Sequence, residues 1–318
     1  MENLVIKVKQ NWANSYVQIG TVLRGKIQES MMDCCPRCEI TCLYAPAVSN
    51  KRFLQISANN FTKFNGIIDD YEHIHTENGM VTKIYARGYA SILMDTMAEP
   101  LISSNINLDN FFTRYCVTLN NLGIPGVRRA SLPAVSYFSI PLGCSVWEAF
   151  QVYGMRMYNL LPVMDDDMYI NLDAGRSILT HTVNTQSGHT VTKAAYRKAN
   201  KNIIKAAYIP NSSGTFTVKI QNPAATSGGK IVYLKANDRW MLDNNRYVRE
   251  LIAKSTWFYN SWKLTLHGDY DIKLFDRFNY SDTLGNSGAF IVGAYEHVID
   301  ERQSVSNITL TYAPAFTV

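Results

Sequence analysis

The sequence of 318 residues lacks the features of a membrane-spanning or secreted chain. No apolar run approaches the ~18 residues that a membrane helix requires, and the first residues do not combine a basic segment with an apolar one. We therefore expect a soluble chain of cytoplasmic origin without a membrane span. Its six cysteines would then stay reduced, so we expect no disulfides.

Charged residues are also scarce, at 18% of the chain against about a quarter in typical soluble domains. Tyr and Phe are abundant by contrast, with 19 and 13 copies, and aromatic residues favour strands. The length and the apolar content of 47% allow two or three domains with substantial cores.

Acidic residues are absent from one long stretch, between Asp173 and Asp238. This stretch holds nine of the 31 basic residues, so the rest of the chain has 22 bases against 26 acids. The asymmetry would suit an acidic partner or nucleic acid, although a solvated surface can have the same composition. One alternative function is therefore a nucleic-acid-binding β-barrel protein that uses the basic segment 184–205.

Catalytic signatures are missing from the sequence: we find no nucleophile elbow, no His-Glu-x-x-His and no dinucleotide fingerprint. The cluster Cys34, Cys35, Cys38 and Cys42 is a weak candidate for a metal site, because closely spaced thiolates can share one ion. However, Cys38 and Cys42 alternate with Ile40 on one predicted strand face, which is typical of small buried hydrophobes. We expect no metal, no cofactor and no enzymatic activity.

Two further segments resemble ligand loops without matching them. Asp165-Asp166-Asp167 could begin a calcium loop, but Arg176 stands where the bidentate Glu belongs, so we predict a β-turn. Ser227-Gly228-Gly229-Lys230 lacks both the first glycine and the hydroxyl of a phosphate loop.

Alternating apolar and polar residues predict short strands throughout the first 100 residues. These strands cover 4–9, 16–19, 22–27, 38–44 and 53–56, and a hairpin follows with strands 64–70 and 81–86 joined through Asn78-Gly79. Such a series indicates a closed barrel or sandwich. A related hairpin, 290–299 with 304–312, ends the chain and indicates a second, similar β module.

Helical periodicity predicts helices over 90–98, 108–122, 145–158 and 244–259. Ser145 and Glu148 form a capping box, and Asp243 is the predicted N-cap of the last helix. A hairpin over 161–164 and 168–172 turns through the Asp165 triplet.

We therefore predict an α+β, mostly β fold with two similar small antiparallel β-barrels and two peripheral α/β units. The first barrel covers 1–100 and the second is split into 177–210 and 262–318. The α/β domain covers 101–176, and an inserted α/β subdomain covers 211–261.

This order of modules resembles the late control protein D family, the central hubs of phage tail baseplates and related contractile injection systems. The segments that carry the resemblance are Phe64–Ile68, Arg87–Asp95, Ser145–Phe150, Leu161–Val163, Met168–Leu172, Leu264–Tyr270, Gly288–Val292 and the terminal hairpin. The basic segment and the cysteine cluster match no feature of that family.

The resemblance implies a homotrimer in which paired barrels create pseudo-sixfold symmetry. Such a trimer would join a sixfold tail tube to a threefold spike or needle, with a central channel for DNA or an effector. The implied partners are the tube and spike proteins, with a tape-measure protein as a further candidate and DNA only in transit. The implied location is a virion tail or injection particle assembled in the host cytoplasm. A receptor-binding tail protein is a further alternative.

Overall fold

The computed structural model describes residues 4–58, 61–128, 132–172, 179–184, 191–225, 228–234, 244–268, 270–281, 287–300 and 303–312. It is mostly β-structure with a smaller helical share, as the sequence predicts. No helix in these ranges has the length and apolar character needed to cross a membrane.

The first strands follow the predicted alternation closely, and β1 has the predicted bounds. The strands are β1 (Leu4–Lys9), β2 (Val17–Ile19), β3 (Val22–Ser30), β4 (Arg37–Leu43), β5 (Phe53–Ala58), β6 (Phe61–Thr76), β7 (Gly79–Gly88), β8 (Leu101–Ile106), β9 (Val127–Arg128), β10 (Val135–Ile140), β11 (Val163–Met164), β12 (Ile170–Asn171), β13 (Thr180–Asn184), β14 (Val191–Lys198), β15 (Ile204–Pro210), β16 (Phe216–Gln221), β17 (Lys230–Tyr233), β18 (Asn260–His267), β19 (Arg277–Ser281), β20 (Ser287–Asp300) and β21 (Ser304–Thr311).

The four helices are shorter than predicted. They are α1 (Ala90–Asp95), α2 (Leu108–Phe112), α3 (Val146–Val152) and α4 (Asn244–Thr256), with a 3₁₀ turn at Pro46–Asn50. The chain continues beyond α2 and α3 in π-helical segments, Thr113–Thr118 and Tyr153–Met157. For α2 and α3 these segments account for most of the extra predicted length, because apolar spacing does not distinguish α from π turns.

The chain divides into two compact units. The first contains Met1–Ser91, Ile178–Ala195 and Trp262–Leu310, and the second contains Ile92–Ser177, Tyr196–Ser261 and Thr311–Val318.

One large sheet builds the first unit, in the order β14-β18-β21-β20-β3-β4-β7-β6-β5-β1-β2, with β19 also paired to β20 and β13 to β19. Its centre is the β3–β4 hairpin. The hairpin β6–β7 pairs with β4 through β7, and the hairpin β20–β21 pairs with β3 through β20. Two long hairpins therefore flank the centre. This pairing joins the strands of both predicted barrels in one sheet, and no closed barrel occurs among the described strands.

The core of this sheet follows from strand alternation. Cys38, Ile40 and Cys42 are buried on β4, while Glu39 between them is exposed. On the two strands that flank β4, Ile27 of β3 lies opposite Cys38 and Ile84 of β7 lies opposite Ile40, and both isoleucines are buried. Fully burying each Ile contributes about 1.5–3 kcal/mol. The alternation therefore fixes which face of the sheet is covered and which is polar.

The second unit combines short sheets with the helices. Ser145 is the N-cap of α3, as predicted, and its Oγ accepts a hydrogen bond from the Glu148 backbone N at 3.1 Å. Phe111 packs with an aromatic group around it, made of Tyr115, Phe138, Phe150 and Tyr153. Helix α4 covers one side of the sheet β16-β15-β17 through Val248 and Ile252. The predicted N-cap Asp243 lies outside the described residues.

Candidate functional site

The polar side of the large sheet is the most organised surface of the first unit. We define this polar face by the outward residues Lys26, Glu39, Lys83 and Glu296, which lie on β3, β4, β7 and β20. Their strand neighbours point into the core, since alternate residues of a strand lie on opposite sides.

A ladder of side-chain contacts crosses the strands from β14 to β3. Thr192 Oγ1 donates to the Thr265 carbonyl at 3.2 Å, and Thr265 Oγ1 donates to Asn307 Oδ1 at 2.9 Å. Asn307 Nδ2 donates to Glu296 Oε2 at 3.0 Å, and Lys26 Nζ lies 2.6 Å from Glu296 Oε1. Each step joins neighbouring strands, so the ladder fixes their side chains relative to one another.

Ion pairs continue the polar face on the other side of β3. Lys83 Nζ lies 2.9 Å from Glu39 Oε1, and Arg87 makes a two-pronged contact with Asp69 at 2.7 and 2.9 Å. Partly exposed pairs contribute only about 0–1 kcal/mol each to stability. Their main effect is therefore on charge: most bases on the centre of this face are neutralised by a neighbouring acid.

Glu296 is the acid of the ladder and binds both Lys26 and Asn307. Partial burial raises the pKa of its carboxyl, but hydrogen bonds from Lys26 and Asn307 outweigh burial, and the pKa lies below its usual range. Glu296 therefore stays ionised at neutral pH and keeps Lys26 paired.

The polar face is concave. Two depressions of about 560 Å³ and 270 Å³ lie on it and share Gln28 and Arg37 in their linings. Lys193 and Lys263 line the larger one, and Asp69 and Tyr85 the smaller one. A concave, polar and largely charge-balanced surface can border a water-filled passage without holding a charged polymer tightly.

The cysteine cluster is buried and chemically quiet. Cys34, Cys35, Cys38 and Cys42 are all free thiols in the core. Burial raises the pKa of Cys35 to about 12 and of Cys42 to about 11, and it also raises the pKa of Cys38. The thiolate form that binds metals is therefore disfavoured. Within the described ranges, no group of three or more His, Cys, Asp or Glu side chains is placed to share a metal ion.

The basic segment is divided between two sheets. Lys193, Arg197 and Lys198 lie on β14, whereas Lys205 lies on β15. Tyr208 on β15 stacks against Tyr233 at 5.1 Å, and Lys219 lies over a Tyr208 ring at 5.8 Å. The basic residues therefore do not follow one another along a single sheet. The side chains of Tyr233 and Lys219 already cover the Tyr208 ring.

Of the two segments that resemble calcium and phosphate loops, the structure describes Asp165-Asp166-Asp167, and it forms a turn. Asp165 Oδ1 accepts hydrogen bonds from the backbone N of Asp167 and Tyr169, as in a tight turn. Arg128 lies 2.9 Å from Asp165 and 2.8 Å from Asp167, so one cation already serves both carboxylates. Ser227 lies outside the described residues.

Sequence reasoning did not find the polar ladder. Its members are outward positions on strands far apart in the chain, such as Lys26 and Glu296, and no local pattern links them. The one available signal was the charge at outward positions of β3, β4 and β7.

No protein-family model matches the sequence, and no curated protein sequence matches it. Solved structures do match the fold. The tail protein from Neisseria meningitidis MC58 aligns with a TM-score of 0.75 and 12% identity, over 98% of this chain and 96% of that one. The 43 kDa tail protein of prophage MuSo2 from Shewanella oneidensis aligns with a TM-score of 0.70 and 13% identity, over 98% of both chains.

A third structure comes from a secretion system. The Escherichia coli c3393 protein aligns with a TM-score of 0.59 and 9% identity, over 98% of this chain and 80% of that one. It is described as a component of the type VI secretion system with structural similarity to the T4 bacteriophage tail proteins gp27 and gp5. At such identities these matches establish a shared fold: the chain has the fold of phage tail and related secretion-system proteins.

Proposed function

We propose that this chain is a structural hub protein of a phage tail or a related injection particle. Three copies form a ring that joins a sixfold tail tube to a threefold spike, and a central channel lets DNA or an effector pass. The protein works through assembly and has no enzymatic activity. We propose that this role corresponds to that of the late control protein D family, which the order of the sequence modules resembles.

The observation that carries the proposal is the arrangement of the large sheet within a fold shared with tail proteins. Two long hairpins, β6–β7 and β20–β21, flank the β3–β4 centre on opposite sides. We interpret them as the matching parts of two barrel modules, 1–100 and 177–210 with 262–318. Two related modules per chain would let three copies present six similar contact sites. The α/β units, 101–176 and 211–261, would lie at the periphery.

The polar face supports the channel. A lumen through which DNA moves needs a hydrated surface that does not bind the phosphates strongly, because each neutralised phosphate adds affinity. Pairing of Lys26, Lys83 and Arg87 with acids meets this requirement. We therefore assign the polar face to the channel wall.

The test is the mass of the protein in solution, alone and mixed with candidate tail tube and spike proteins of the same particle. We expect the mass of a trimer, measured by light scattering after size exclusion, and co-elution with both partners. A chain that stays monomeric in every mixture would contradict the proposal.

A further inference from the structure

Two long strands of the large sheet, β6 and β14, have one side without a partner strand among the described residues, as do the shorter strands β2 and β13. Pairing of β5 with β6 ends at Phe53 and Ile67, and the backbone N of Ile68 donates to the Arg52 carbonyl. Beyond this point β6 continues to Thr76 and pairs only with β7. At the other end of the order, β14 pairs only with β18. Long open edges are unusual in soluble proteins because they invite pairing with another chain.

The two edges carry opposite charges. On the polar face, the open part of β6 has Asp70 and Glu72, which lie opposite Tyr85 and Lys83. On β14, Lys193 lines the larger depression of the polar face, and Arg197 lies on the same side by alternation. Val191–Lys198 contains no acid.

These edge charges differ from those of the sheet centre because none of the four has an ion pair within the described part of the chain. Lys83, the nearest base to Glu72 across the ladder, is bound to Glu39 instead. Most bases at the centre of the polar face are thus paired internally, whereas its two edges have charges of opposite sign without an ion pair among the described residues.

The strand directions also agree. The contacts of Thr192 with Thr265 and of Ala199 with Tyr259 show that β14 runs antiparallel to β18. The contacts of Thr265 with Asn307 and of Gly268 with Ser304 show the same for β18 and β21. The pairs β3–β20, β3–β4, β4–β7 and β6–β7 are antiparallel as well, and β20 turns back into β21 through a hydrogen bond from Asp300 N to the Gln303 carbonyl. Along these eight strands the direction alternates, so β6 and β14 run in opposite directions.

We propose that the open half of β6 pairs with β14 of a second copy of this chain. If the copies are related by rotation about an axis parallel to the strands, each strand keeps its direction in every copy. The β14 strand of the next copy would therefore run antiparallel to β6. Lys193 and Arg197 of one copy would then lie beside Asp70 and Glu72 of the next, on one side of a continuous sheet. Cross-strand pairs of opposite charge stabilise such a register.

This inference rests on the proposed function and specifies its ring contact. The contact joins two different surfaces of the same chain, so repetition closes a ring when the rotation fits. One copy has an open sheet, and closure around a channel would come from its neighbours.

The first experiment crosslinks pairs of variants that each carry one introduced cysteine on the surface. Copies with Glu72→Cys are co-expressed with copies carrying Lys193→Cys or Arg197→Cys, and a short bismaleimide is added. We expect a crosslinked dimer in at least one mixture. Wild-type protein is one control, because its described cysteines are buried. Lys263→Cys with Glu72→Cys is the matched control, since Lys263 lines the same face on an interior strand and should not crosslink.

The second experiment exchanges the charges. Asp70→Lys with Glu72→Lys should lose the trimer mass, and so should Lys193→Glu with Arg197→Glu, whereas all four substitutions together should restore it. If the edge charges serve only to prevent strand pairing with other chains, the mass in solution would be the same in every variant, and this result would contradict the proposal.

The outcomes separate the two proposals. A wild-type trimer without crosslinks, insensitive to charge exchange, would overturn the edge pairing and leave the hub function standing. A protein that stays monomeric with its tube and spike partners would overturn both. Crosslinked dimers together with a solution mass far above three copies would support the edge pairing and contradict the trimer.

Discussion

His297 illustrates how one residue makes stability depend on pH. Its ring is buried on β20, and Nδ1 lies 2.9 Å from Ser306 Oγ. Burial, with a smaller effect of the Lys63 charge, lowers the pKa of the imidazole from 6.5 to about 4. The folded state therefore keeps His297 neutral at pH values where the unfolded chain binds a proton.

The sign of the effect follows from this difference. Above about pH 6.5 His297 is neutral in both states and has no effect; as pH falls from 6.5 to 4, only the unfolded state gains the proton. We expect the free energy of unfolding to drop by up to about 3 kcal/mol from this residue. Urea unfolding at a series of pH values checks it. His297→Gln should flatten the decline in this window, and an unchanged slope would show that other groups cause it.

Gly66 is required for close backbone contact between β6 and β7. A Cβ at this position would lie 2.2 Å from the Arg87 carbonyl oxygen and 2.6 Å from the Phe64 ring. We expect Gly66→Ala to lower the free energy of unfolding by about 1–3 kcal/mol, because the strands must separate. Gly126→Ala is the control, since its nearest neighbour is 3.4 Å away. Equal midpoints of denaturant unfolding for the two variants would refute this explanation.

At the scale of elements, helix α3 depends on its N-cap. Ser145 Oγ accepts a hydrogen bond from the Glu148 N–H, which lies in the first turn of the helix, where the N–H groups have no carbonyl acceptor within the helix. Ser145→Ala should cost about 1 kcal/mol in the free energy of unfolding, while Ser145→Asp should retain most of the stability. Chemical denaturation of both variants tests this. A loss of equal size in Ser145→Asp would indicate that the site depends on packing of the hydroxyl instead.

The strands and helices also show which features local sequence patterns predict and which they do not. Alternation predicted β1 with its bounds and the burial of Cys38 and Cys42, and Asn78-Gly79 predicted the turn between β6 and β7, where Gly79 has a φ of +115°. Thr113–Thr118 and Tyr153–Met157 were predicted only as helix, because their π-helical hydrogen bonding has no separate apolar spacing.

At the scale of the whole molecule, the basic stretch raises the question of DNA binding. Lys193 and Lys205 lie in different sheets, and most bases at the centre of the polar face are paired with acids. We expect duplex DNA to bind with a Kd on the order of 10⁻⁴ M or weaker at physiological salt, the weak end of non-specific binding. Gel shifts across a salt series measure it.

The double variant Lys198→Glu with Lys201→Glu tests whether the basic segment 184–205 binds DNA. We expect it to change the weak DNA affinity little. Tight binding that falls steeply with salt and disappears in this variant would favour the nucleic-acid-binding alternative instead.

By itself, the sequence determined most strands of the first 100 residues, the helix starts and the burial of alternate residues on β4, because these depend on periods of two to four residues and on local caps. Only the tertiary structure decided that β3 pairs with β20 and that Lys26 meets Glu296. It also decided that β6 and β14, within the described parts of the chain, have an open edge each. Strand order is set by the burial of whole faces across distant parts of the chain. No short window of residues contains that information.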